Sequence, residues 1–130
     1  MNREAVLRRV LWAAAFVNVA GACLFAFPAS PAGQLAGLPA DVPLTYRALV
    51  ALFVLLFGGA YAWLAVHRPL IRPFVAFGAM GKAGAFVLIA ALYLAGEASW
   101  RSVTIMSGDL ALAAIFLWGL SRHGLQPQIR

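Results

Sequence analysis

One cysteine and four acidic residues in 130 positions are what this chain has least of. The single Cys23 excludes a disulfide framework and any multi-cysteine zinc or iron–sulfur site. Charged residues amount to 11% and hydrophobic ones to 64%, where a soluble domain has about a quarter charged and about half apolar. The charge needed to cover a water-facing surface is absent. With a mean hydropathy of +0.89, disorder is excluded too. The chain also lacks a phosphate-binding glycine loop, a glycosidase-like carboxylate pair and a Ser-His-Asp set, so an enzyme acting alone is not expected.

What is present comes in blocks. Val10 to Phe27 and Ala48 to Val66 carry no charge. Pro73 to Gly96 carries only Lys82, and Ser102 to Ser121 only Asp109. About twenty helical residues cross a hydrocarbon core of about 30 Å. The blocks are apolar all round, which suits lipid or a large core, and 130 residues do not make a large core. They lack the alternation of barrel strands. The spacing predicts a single transmembrane domain over residues 1–130, all-α, with spans near 8–27, 45–66, 73–96 and 101–121. The first block opens on Arg3, Arg8 and Arg9 like a signal peptide. Its apolar stretch is long for a signal core, so we expect a retained span, neither cleaved nor lipidated at Cys23.

Basic residues set the orientation. Arg3, Arg8, Arg9, Arg68, Arg72, Arg122 and Arg130 fall on one side of the four spans, and Arg47 and Arg101 on the other. The basic-inside bias then places both termini in the cytoplasm of a bacterial inner membrane. The net charge of +6 reads as topology, with no nucleic-acid partner, and the basic segments are placed to hold anionic lipid headgroups. Trp12, Trp63 and Trp118 at inner ends, with Tyr46, Tyr93 and Trp100 at outer ends, read as interfacial anchors. Short turns at His67–Pro73 and Glu97–Arg101 predict an antiparallel bundle of sequential neighbours. The Pro-rich stretch from Pro28 to Pro43 is expected on the outer surface with one helical turn, as a connector before a lid.

Lys82 and Asp109 are the informative pair, because a charge inside a span is costly and points to a partner. Lys82 sits about 15 Å from one face and Asp109 about 12 Å from the other, so the two nearly coincide at midplane. Lys82 is too deep for its stem to reach the interface. Asn18 lies near the same depth. An ion pair that locks two helices is weighed above a proton- or ligand-binding site, and Asn18 is expected to act first as helix glue. Ser107 and Thr104 are expected to bond their own helix backbone. Gly78, Gly81 and Ala85 are expected on the Lys82 side of its helix, with Gly108 and Ala111 beside Asp109. They would mark a tight contact at the pair or between protomers. His67 and His123 are expected at helix ends without a third ligand, so no metal and no cofactor are assigned.

Phe57-Gly58-Gly59-Ala60-Tyr61 with Arg68-Pro69, Gly81-Lys82, Gly108-Asp109 and Phe116-Leu117-Trp118 resembles a widespread type of small bacterial four-span protein near the DoxX-like membrane proteins. The resemblance covers roughly residues 50 to 121. It implies a four-helix membrane protein with Lys82 and Asp109 as family features. Some DoxX proteins are membrane subunits of thiol or sulfur oxidation systems acting with quinone, and this chain lacks the cysteines for such work. The reading that follows is an accessory or binding protein of the lipid bilayer, a homo-oligomer or a subunit of a membrane complex. Its alternatives are a small proton- or ion-coupled transporter with a midplane site and a quinone-linked redox subunit.

Overall fold

The computed structural model describes residues 2–121. Arg122, His123 and Arg130 lie outside the described residues. The described chain is all-helical: α1 (Arg3–Ala26), α2 (Pro31–Leu35), α3 (Leu44–Val66), α4 (Arg72–Leu94) and α5 (Trp100–Leu120). Four of these helices are long and apolar enough to cross a membrane, the make-up of a multi-pass membrane protein.

Local chemistry sets the boundaries. The first helix begins at Arg3, ahead of the span expected from residue 8, because its start is a capping device. The Asn2 side chain accepts from the Glu4 and Ala5 amides at 3.1 and 3.3 Å, satisfying donors the first turn leaves unpaired. A charge count finds the uncharged part of a helix, and this helix carries Arg3, Glu4, Arg8 and Arg9 in its first turns. The α3 helix stops at Val66, with extended His67 next and Pro69 disfavouring helix at the residue before it. Pro73 lies in the first turn of α4, where its missing N–H costs nothing. That helix closes with Gly96 at φ +81°, which lets the Glu97 amide reach the Leu92 carbonyl at 2.8 Å. The expected turn in the Pro-rich segment is α2, capped by the Ser30 hydroxyl on the Gly33 amide at 3.1 Å.

The most extensive packing is of α1 along α3 and of α4 along α5. The sequential pair α3 and α4 approaches mainly through side chains, so the short turn between them does not make them the closest neighbours. Buried Leu7, Leu11, Tyr61, Leu64, Val75 and Phe116 form the core. They gather toward the start of α1, the end of α3 and the start of α4.

The α1–α3 contact is close because Gly58 has no side chain. A Cβ there would sit 3.1 Å from Asn18 Cβ and 3.3 Å from the Ala15 carbonyl oxygen. Gly58→Val is expected to push the two helices apart and cost about 1–2 kcal/mol, read by SDS-titration unfolding in mixed micelles. Unchanged unfolding would show that α1 and α3 do not rely on this approach.

Of the two contacts that the small residues are expected to mark, the one at the ion pair inside the bundle does not involve three of them. Gly81, Gly108 and Ala111 are exposed, and a Cβ on Gly108 meets nothing within 4 Å. Of the residues expected on the Lys82 side, Gly78 is buried and Ala85 half-buried. The glycine that brings two helices together is Gly58, between α1 and α3.

Candidate functional site: a polar centre shared by four helices

Each long helix contributes one side chain to a polar centre inside the apolar bundle. The Lys82 ammonium, on α4, donates to Asp109 Oδ1 of α5 at 2.6 Å and to Asn18 Oδ1 of α1 at 3.0 Å. It also lies over the Tyr61 ring of α3, 5.2 Å from the centroid. Three donors thus meet two oxygens and a π face. Asn18 passes the network on, its Nδ2 donating to the Val54 carbonyl of α3 at 3.0 Å. The structure brings Lys82, Asp109 and Asn18 together, as their depths in the spans predict.

Burial is uneven across this cluster. The Lys82 side chain keeps 5% of its surface, and Asp109 keeps 18%. An ammonium in so dry a place costs several kcal/mol unless paired and fully hydrogen-bonded. Asp109 is bonded through Oδ1, and its carboxylate keeps accessible surface. The polar centre is closed on the lysine side and only partly covered on the aspartate side.

Tyr61 is a member that sequence reasoning missed. Its hydroxyl donates to the Gly78 carbonyl at 3.4 Å, and its ring packs on Phe116 at 5.7 Å between centroids. Gly78 makes room, since a Cβ there would lie 2.7 Å from Tyr61 Cε1. The available signal was a lone hydroxyl well inside an apolar run. Thr104 and Ser107 donate to the carbonyls of Trp100 and Thr104 in their own helix, as expected.

Several arginines bind the ends of neighbouring helices. None of the four long helices carries a basic residue in its last turn, yet cations reach three of those ends from neighbouring helices. Arg8 of α1 donates to the Ala65 and His67 carbonyls at 2.9 and 2.8 Å, and its guanidinium pairs with Glu4 at 2.7 Å. Arg47 of α3 donates to the Ala26 carbonyl at 2.7 Å. Arg72 of α4 and Arg3 of α1 donate to the Leu120 and Trp118 carbonyls of α5. Orphan carbonyls and the negative end of the helix dipole attract such groups. Arg47 keeps one buried donor, Nε, without a hydrogen-bond partner.

The segment around α2 is tied down. Ser102 and Ser99 at the start of α5 donate to the Ala36 and Gly37 carbonyls at 3.1 and 3.3 Å. Gly37 has φ +74° and lies against Ser99, where no side chain fits. These bonds describe a fastened connector rather than a free flap.

Two clefts of about 210 Å³ each lie at opposite ends of α1. One is lined by Phe25, Leu38, Val42 and Arg47, the other by Arg3, Leu7, Leu70 and Arg72. Neither includes Lys82, Asp109, Asn18 or Tyr61. Cys23 is an exposed free thiol. His67 Nδ1 is 2.9 Å from the Pro69 carbonyl oxygen. Among the described residues no three His, Cys, Asp or Glu side chains gather as metal ligands would. No family model, curated protein or solved structure matches the chain.

Proposed function

We propose that the protein is a small accessory or binding protein of a bacterial inner membrane. It works as an oligomer or as a subunit of a larger membrane assembly. Its four spans run antiparallel with both termini in the cytoplasm, in line with the distribution of arginines. The observation that carries this reading is the asymmetry of the polar centre. Lys82 is dry and fully engaged, which suits a fixed structural post. The Asp109 carboxylate retains accessible surface, beside the exposed, unfilled backbone of Gly108. A carboxylate open at mid-span calls for a further polar partner, and small residues let a neighbouring helix come close. The resemblance to DoxX-like proteins agrees with the architecture and adds no activity.

The test pairs Lys82→Met with Asp109→Leu. This double variant removes both charges together, so the bundle stays inserted and folded. We expect it to lose the wild-type assembly, read by analytical ultracentrifugation in detergent and by co-purification. Wild-type assembly in the double variant would sink the reading.

A second reading, a small proton- or ion-coupled transporter with a midplane site, draws on the same accessible carboxylate. Proton-coupled flux in liposomes that Asp109→Asn abolishes would establish it over the first. A membrane subunit of a quinone-linked redox system rests on the resemblance alone.

A further inference from the structure

We propose that the cleft at the N-terminal end of α1 binds the phosphate of an anionic lipid headgroup. The proposal rests on the four-span reading, which puts this cleft at a membrane–water interface. Two guanidinium groups face it, Arg3 from α1 and Arg72 from the start of α4. Its third charge, Glu4, is already taken, since Arg8 holds Oε1 through Nε at 3.0 Å and Nη2 at 2.7 Å. The lining is therefore net positive.

Both guanidinium groups are fixed before any ligand arrives. Arg3 donates to the Trp118 carbonyl at 3.5 Å and lies 4.7 Å over the Trp118 ring. Arg72 donates to the Leu120 carbonyl. Each contact uses one nitrogen of a group with five N–H donors, so donors remain for phosphate oxygens. Anchoring to one helix end has already removed much of the side-chain freedom that binding would otherwise cost. Two preset guanidinium groups suit phosphate better than two lysines would, because their planar forks match its oxygens.

The rest of the lining sets the kind of phosphate. Leu7, Pro69, Leu70 and Gly119 make the remainder of the lining apolar. A phosphodiester with a hydrocarbon continuation satisfies both halves, whereas a free phosphate ion satisfies only one. The cleft's volume of about 210 Å³ suits a headgroup, with the acyl chains running down the outside of the helices. Arg9 and Arg68 are exposed and do not line the cleft, which gives a charge-matched comparison.

The experiment uses the full chain in detergent with equal phosphatidylglycerol and phosphatidylcholine, and counts retained lipids by native mass spectrometry. Wild type is expected to prefer phosphatidylglycerol by about tenfold or more, the combined pull of two interfacial cations. Arg3→Gln with Arg72→Gln loses that preference. Arg9→Gln with Arg68→Gln, equal in charge change, keeps it. Equal losses in the two double variants, or no preference in wild type, would overturn the site. Displacement of phosphatidylglycerol by millimolar inorganic phosphate alone would assign a free phosphate ion and overturn the lipid. If the first double variant fails to fold, Arg3→Gln with Arg72→Lys, set against Arg9→Gln with Arg68→Lys, carries the same charge-matched comparison while keeping a cation at the end of α5. Resistance of the wild type to alkaline carbonate extraction is scored separately, and its failure would sink the four-span reading instead.

Discussion

Lys82→Met is expected to destabilise the bundle by about 3–5 kcal/mol, the cost of breaking a buried ion pair from one side. The substitution leaves Asp109 at mid-span without its cation and Asn18 without its donor. Methionine fills nearly the same volume, so little of the loss comes from a void. Adding Asp109→Leu removes the stranded carboxylate, and most of the loss is expected to return, because apolar replacements of a whole buried pair are often neutral. The measurement is a double-mutant cycle on SDS-titration unfolding, followed by helical circular dichroism. Additive losses in the cycle would mean that the two side chains do not interact in the folded protein.

Phe116→Ala is expected to cost about 3 kcal/mol, whereas Phe53→Ala is expected to stay within about 0.5 kcal/mol. Phe116 is fully buried against Tyr61 and Phe53 is 58% exposed. In water, trimming an exposed phenylalanine would improve solubility. In lipid it exchanges one apolar contact for another, because tails are as apolar as the side chain they replace. The cost at Phe116 comes from lost packing partners around a void, which no lipid tail reaches to fill. Unfolding in mixed micelles and in bilayers reads both. A large loss at Phe53 would place that surface against another protein chain and not against lipid.

The architecture was legible because uninterrupted apolar length is a strong signal, and Lys82 with Asp109 was legible because each is alone in its block. Depth along a helix can be counted from sequence. Which face points inward cannot be counted when every face is apolar, so the sequence left open whether Gly81, Gly108 and Ala111 face the ion pair or lie, as they do, on the outside of the bundle. The same lack of amphipathic pattern hid Tyr61, which looked like another residue of an apolar run until Gly78 was found opposite it. The arginine contacts were hidden for a different reason. A helix end shows whether it carries its own cation, but a cation lent by another helix depends on packing that no local pattern encodes.

The reciprocal arginines of α1 and α3 also bear on how the molecule can move. Arg8 grips the end of α3 while Arg47 grips the end of α1. A slide of one helix past the other by a single turn, about 5.4 Å, would break both grips at once. The Gly58 contact between them would be lost in the same step. The pair is thus pinned in translational register like a bolt held at each end.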